Sequence, residues 1–511
     1  MDRQPPRAWF TLLISLSVFT IAVFLRLPSC YESLWLDELH SAWIIADGVG
    51  SVYQRAVIGH QSPCYYLQLW AWKQVLGDSE LILRLNSVLW VASGCSVITY
   101  GITRWTSSLL AGLVSGLILA VEENSLFFGT ELRPFALVIL CSSFAIILFL
   151  KLLSSESRHQ RPHAWFFLIV TILFSTICQP TSLGVLAWLP LGLCAIWLNR
   201  SPGEFRRITW LDAALILITL LAILMLWQMT LGQSWAEKSM WGSFATATHW
   251  QQICTIWDWP SLLLIPLILL LLIPIIDSRK QSHLPHSPSL IGLIFLATLP
   301  LLATTVYWCL SSFEVVPIWH RRYFIAVLPV LACFGGSCIG YAQIKIAGTK
   351  KPTLAGLALA ITILFCLEVQ QRTWRRLQLS PVALVVRGED WRTAIEWLQR
   401  ESEPESLILL DSGLIEGQSW ITPQLFESEN TAKLEYLCFP LHGPYPLDRE
   451  VIPVGPTFQP VIPLADGNRP TYILTRNTIG IARLRAATEE VMGFGRVAIV
   501  LPTNRTSLHT Q

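Results

Sequence analysis

The run Tyr31-Glu32-Ser33-Leu34-Trp35-Leu36-Asp37-Glu38-Leu39-His40 follows the first apolar stretch of the chain, Trp9 to Leu25, by only a few residues. It sets an acidic pair, Asp37-Glu38, beside what reads as a membrane span. Two carboxylates at such a surface are costly, because a low-dielectric, anionic neighbourhood disfavours both charges. A chain that keeps them there has a use for them.

The surrounding composition fits a lipid environment. The chain has 511 residues, 53% of them hydrophobic and 14% charged, with a mean hydropathy of +0.51. Soluble domains carry roughly 25% charged residues. A net charge of +2 gives no reason to expect a nucleic-acid partner. Most of the twelve cysteines fall inside apolar runs and read as small hydrophobes. The first apolar stretch lacks a small-residue cleavage site and reads as a retained span.

Apolar runs stand at 9–27, 81–103, 106–121, 134–152, 164–178, 183–198, 210–232, 260–276, 290–310, 323–343 and 353–370. The expectation is a polytopic α-helical membrane protein of about eleven transmembrane helices over residues 1–370. Alternate connections carry Arg104, then Lys151, Arg158 and Arg161, then Arg200, Arg206 and Arg207, then Arg279 and Lys280, then Lys345, Lys350 and Lys351. All fall on one side if the N-terminus is cytoplasmic. The other side then holds a long first loop at 28–80, which should contain interfacial helices, and the part beyond the last span.

That last part, 371–511, changes character. An amphipathic helix is expected from Trp391 to Gln399, and strands at Ser406–Asp411, Thr471–Thr475 and Arg496–Leu501. Pro-rich stretches between 439 and 470 read as loops. A small extracytoplasmic α/β domain follows from these.

The polar signals gather on the expected outer side. After Asp37 and Glu38 come His60 and Gln61, leading into Tyr65 and Tyr66, then Arg84 just inside a span, Glu131 and Arg133, and finally His320-Arg321-Arg322-Tyr323. Carboxylates, imidazoles and guanidiniums at one interface suit a sugar carried on a polyprenyl phosphate. Arg and His can stabilise a departing phosphate through charge-assisted bonds. A carboxylate across the anomeric carbon can take the acceptor's proton, which inverts that centre. Each group also has a plainer use. Asp37-Glu38 would cap an interfacial helix, the aromatics would form an interfacial belt, and Glu131-Arg133 would hold its own loop. Arg321-Arg322 would anchor a helix end to headgroups, and Arg84 would snorkel or pair with a loop carboxylate. His60 and His320 read as hydrogen-bonded residues before metal ligands, and no metal site is assigned. Mg or Mn would suit carboxylates and phosphate, but no spacing demands either.

In this order the motifs resemble the membrane-embedded GT-C glycosyltransferases, and especially the group of protein O-mannosyltransferases and the bacterial transferase that adds aminoarabinose to lipid A. The matching stretches are Leu34-Trp35-Leu36-Asp37-Glu38; Ser62-Pro63-Cys64-Tyr65-Tyr66, with Gly77-Asp78-Ser79-Glu80 and Leu83-Arg84-Leu85; Glu131-Leu132-Arg133-Pro134-Phe135; and Arg322-Tyr323 running to Pro329. Glu389-Asp390-Trp391-Arg392 looks like the opening of the outer domain in many bacterial members. Ser62 stands where a Pro is common, Phe135 replaces the usual Tyr, and Gln179-Pro180-Thr181 replaces a His-Tyr-Thr type sequence.

The resemblance implies an integral membrane glycosyltransferase that passes a hexosyl or pentosyl unit from a polyprenyl-phosphate donor to an unnamed acceptor. The setting would be the outer face of a bacterial inner membrane, with membrane lipid around it. It implies Asp37 as general base with Glu38 in support, and Arg322 and Tyr323 on the lipid phosphate. Glu131 and Arg133 would shape the site. Two readings from other classes compete. A transporter or flippase of lipid-linked sugars should carry ionisable residues in mid-span. A non-catalytic membrane scaffold with an outer domain should tolerate Asp37→Asn.

Overall fold

A computed structural model describes residues 6–154, 161–198, 245–276, 290–345, 352–373, 384–427, 430–458, 469–477 and 490–502, with a few isolated positions between them. The chain divides into two compact units, Met1–Ser29 with Ser87–Val385, and Cys30–Asn86 with Val386–Gln511.

The first unit is helical. Among the described residues, six helices of the chain are long and apolar enough to cross a membrane: Ala8–Tyr31, Glu80–Thr106, Phe135–Ser154, Leu290–Ser312, Val327–Lys345 and Thr353–Gln371. Shorter apolar helices cover Leu109–Val121, Pro162–Cys178, Pro180–Ile196 and Pro260–Leu272. Helices therefore stand at every expected span except 210–232, which lies outside the described residues apart from isolated positions. The chain is an integral membrane protein.

Burial separates the middle of this bundle from its rim. The most apolar window of Val327–Lys345 is 89% buried, while those of Ala8–Tyr31 and Thr353–Gln371 are 22% buried. The rim helices turn Leu12, Leu13, Leu16 and Phe24, or Ile361, Phe365 and Val369, to the outside. Water would penalise that apolar surface at about 25 cal/mol per Å²; lipid does not.

Without a hydrophobic force between helices in lipid, close packing depends on small residues. Val327–Lys345 meets Leu109–Val121 through Gly335, Gly336 and Ser115, and a Cβ on Gly336 would collide with Ser115 Oγ and the Ala111 carbonyl.

The second unit begins with three short helices, Leu36–Ile44, Val49–Ile58 and Pro63–Leu76. Its later part carries a five-stranded sheet in the order β2-β1-β3-β5-β4. The strands are β1 (Leu407–Asp411), β2 (Glu450–Pro453), β3 (Thr471–Thr475), β4 (Val491–Phe494) and β5 (Val497–Val500). β1 runs parallel to β2 and β3, and β5 runs antiparallel to β3 and β4. The helix Trp391–Glu401 buries Trp391, Ala394, Ile395 and Leu398 at helical spacing and packs on β5 and β4. Asp390 caps it by accepting from Thr393 N–H at 3.1 Å.

β2 lies within 439–470, among the Pro-rich stretches expected as loops. It is an edge strand, paired on one side to β1 with Leu410 opposite Pro453. Proline cannot donate to a ladder, so its place at the end of an edge strand costs nothing.

Candidate active site

In the second unit the acidic pair divides into two different environments. Glu38 and Arg84 both have side chains with no solvent exposure. Arg84 Nε donates to Glu38 Oε1 at 2.9 Å and Nη2 donates to Oε2. The rest of the guanidinium fork reaches the carbonyls of Glu32 and Ser33, the latter at 3.0 Å. Arg387 Nε stands 3.8 Å from Glu38 Oε2, and Trp35 N–H donates to the same oxygen at 3.4 Å. Glu38 is thus both half of a capping box and the anchor of a buried ion pair. Arg84 takes the second of its two expected uses and pairs with a loop carboxylate.

Asp37, one residue earlier in the same first turn, is half-buried. The helix N-terminus favours a carboxylate there. Its backbone is held from two directions. Ser41 Oγ donates to the Asp37 carbonyl at 3.1 Å, and the preceding Leu36 N–H donates to Glu389 Oε2 at 3.1 Å. Glu389 also accepts from the Trp391 indole at 2.9 Å and pairs with Arg476 Nη2 at 3.0 Å.

His60 and Gln61 close the helix Val49–Ile58. Gln61 N–H reaches the Ala56 carbonyl at 2.8 Å and His60 N–H the Val57 carbonyl at 3.0 Å, the pattern of a Schellman cap. His60 occupies the left-handed position with φ 53°, at a cost a glycine would avoid. A side chain on the preceding Gly59 would strike the imidazole of His40. Tyr65 and Tyr66 are buried and meet edge to face at 5.2 Å. Trp70 Nε1 donates to the Asp47 carbonyl at 2.9 Å, and Lys73 Nζ to that of Ala46 at 2.8 Å. These groups of the aromatic stretch hold the loops of this unit together.

Sequence reading missed Glu416. It is buried, accepts from Tyr436 O–H at 2.8 Å, and lies in the field of His60 and Asp37. Burial pushes its carboxyl above the usual range, and the Asp37 charge adds to that. Nothing local in Leu414-Ile415-Glu416-Gly417 marks it; only the fold brings it near Asp37. Glu389 was visible as part of a motif, but not as the acceptor for Leu36.

The remaining candidates belong to the first unit. Glu131 and Arg133 are buried in the turn before Phe135–Ser154. The Glu131 carbonyl accepts from Ser87 Oγ at 2.6 Å and from Arg133 N–H at 2.8 Å. His320 opens the short helix Arg321–Phe324, its Nδ1 accepting from Arg322 N–H at 3.3 Å. Arg321, Arg322 and Tyr323 are half-buried. The Arg322 guanidinium lies 5.0 Å from the Tyr323 ring centre and donates to its hydroxyl at 3.2 Å. Arg321 Nη1 reaches Asn124 Oδ1 at 3.3 Å, and Asn124 Nδ2 donates to Glu122 Oε1 at 2.7 Å. Burial raises the Glu122 carboxyl to about 7. The helix turn Pro180–Ser182 packs against Arg321–Phe324. Tyr307 O–H donates to the carbonyl of Thr181 there. Trp257, Tyr307 and Trp319 surround Phe324 at ring distances of 5.0–5.5 Å.

A divalent cation does not fit the acidic pair. Both oxygens of Glu38 are taken up by Arg84, so a metal could claim only Asp37 there. Among the described residues no three His, Cys, Asp or Glu side chains group as ligands.

The fold is a polytopic helical bundle with a small α/β domain, as expected. Among solved structures, ArnT from Cupriavidus metallidurans bound to undecaprenyl phosphate matches over 96% of this chain and 97% of its own, with a TM-score of 0.52 and 13% identity. ArnT in the apo state matches over the same shares with a TM-score of 0.50 and 13% identity. The Archaeoglobus fulgidus oligosaccharyltransferase, in complex with Zn and sulfate, matches 88% of this chain and 62% of its own, with a TM-score of 0.46 and 11% identity. No family model matches the sequence. No curated protein matches it either.

Proposed function

We propose that this protein is an integral membrane glycosyltransferase. It takes a hexosyl or pentosyl unit from a polyprenyl-phosphate carrier and passes it, with inversion, to an acceptor on the outer face of a bacterial inner membrane. The N-terminus is then cytoplasmic and residues 371–511 lie outside.

The observation that carries this reading is the division of labour in the acidic pair. Glu38 is fully buried against Arg84, while Asp37 stays half-exposed at a helix start whose backbone is clamped by Glu389. Such a carboxylate is pre-positioned for proton transfer. The acceptor hydroxyl or amine attacks the anomeric carbon, its proton goes to Asp37, and the bond to phosphate oxygen breaks. The leaving phosphate keeps the electron pair, and the resemblance of Arg322-Tyr323 to the family motif gives Arg322 the part of stabilising it. No step passes through a metal. The ordered motifs and the ArnT likeness, one form of which holds undecaprenyl phosphate, support the same assignment. Against a transporter, the buried arginines of the described spans, Arg26 and Arg84, sit near the ends of their helices rather than in mid-span.

The test is transfer of labelled sugar from a polyprenyl-phosphate donor by the full chain in lipid vesicles. Asp37→Asn should keep expression and donor binding and lower turnover by about 10²–10⁴-fold. Turnover at the wild-type rate would remove Asp37 from the mechanism.

A further inference from the structure

The sheet of the second unit carries a cavity whose lining includes neither residue of the acidic pair. It has a volume of about 360 Å³ and opens at the carboxyl ends of β1, β2 and β3. From β1 the chain leaves toward β2, and from β3 it leaves the other way, toward β4 and β5. Such a reversal between adjacent parallel strands opens a crevice at their carboxyl ends, where α/β sheets bind ligands. The volume lies within the range of about 300–1,000 Å³ typical of small-molecule sites.

Its lining defines what it can hold. Ser412, Arg476 and Asn477 supply polar groups, while Leu410, Leu437 and Val454 supply an aliphatic wall. Asp411 lies at the base. Its Oδ1 accepts from Gly413 N–H at 3.1 Å, its Oδ2 accepts from Thr475 Oγ1 at 3.1 Å, and the Asn477 side chain donates to it as well. Those bonds occupy the carboxylate and leave it poorly placed to coordinate a cation. Arg476 is already paired with Glu389, so two acids stand against one base and an anion is disfavoured. Among the described residues no aromatic ring lines the cavity, so a nucleobase finds no stacking partner among them. A neutral, polyhydroxylated ring fits each of these conditions. Its hydroxyls can donate and accept among Ser412, Arg476 and Asn477, and its apolar face can lie on the aliphatic wall.

We propose that this crevice is a binding site for a neutral saccharide. The proposal does not depend on Asp37 acting as a base.

The experiment applies the full chain, in detergent, to an array of immobilised neutral mono- to tetrasaccharides, with inorganic phosphate as soluble competitor. Retention of at least one neutral saccharide is expected, without competition by phosphate. Asn477→Ala and Ser412→Ala should each weaken that retention by about tenfold, the worth of one good hydrogen bond to a ligand. Thermal unfolding of both variants checks that they fold. The proposal is overturned if no neutral saccharide is retained, if both folded variants bind like wild type, or if phosphate displaces the sugar.

Discussion

Glu38 and Arg84 stand 46 residues apart and form a two-point ion pair with no solvent exposure on either side chain. Removing one partner of a buried pair strands the other charge and costs about 3–5 kcal/mol, whereas replacing both by apolar groups costs far less. Arg84→Met should therefore destabilise the protein by about that amount, and Glu38→Leu combined with Arg84→Met should recover most of it. Denaturant unfolding in detergent decides. Equal losses in the single and double variants would show that the pair is not the clamp.

Glu389 positions the helix that carries Asp37 by accepting from Leu36 N–H. Glu389→Ala leaves that N–H and the Trp391 indole without their acceptor. Turnover should fall about tenfold or more with the donor KM little changed, since small misplacements act on the reacting geometry. Glu389→Gln, which keeps an acceptor oxygen, should restore part of the loss. A rise in KM at constant kcat would place Glu389 in binding instead.

Arg322 combines a guanidinium with the Tyr323 ring and hydroxyl. Arg322→Ala should weaken binding of the polyprenyl phosphate by about tenfold or more, as a lost charge-assisted bond would. Arg322→Lys should recover only part, because an ammonium lacks the planar fork. Unchanged affinity of Arg322→Ala for the undecaprenyl phosphate probe would end this role.

The carboxyl of Glu122 is raised by burial to about 7 from 4.5 in the unfolded chain. The folded state thus holds its proton more tightly, and stability is fully present below about pH 4.5 and lost as pH rises through about 7. Thermal unfolding across that window should show the loss in the wild type and a flatter profile in Glu122→Gln. Identical slopes would refute the assignment.

Much of the architecture was legible from hydropathy alone. Helices stand at the expected spans that fall among the described residues, and strands lie at Leu407–Asp411, Thr471–Thr475 and Val497–Val500 within their expected ranges. An apolar run long enough to span lipid leaves the backbone no choice but a helix. β2 was not legible, because Glu450–Pro453 is short, ends in proline and becomes a strand only against β1. β4, Val491–Phe494, depends in the same way on β5.

The sequence by itself determined the membrane-spanning helical class and the α/β character of the last part. Those follow from local periodicity and residue type, which need no partner to be read. The tertiary structure alone decided that Glu38 is a buried anchor and Asp37 the half-exposed acid, that Glu389 holds the start of their helix, and that Glu416 lies in the field of Asp37. Burial and pairing join residues dozens to hundreds of positions apart, and no local pattern records which carboxylate the fold will enclose.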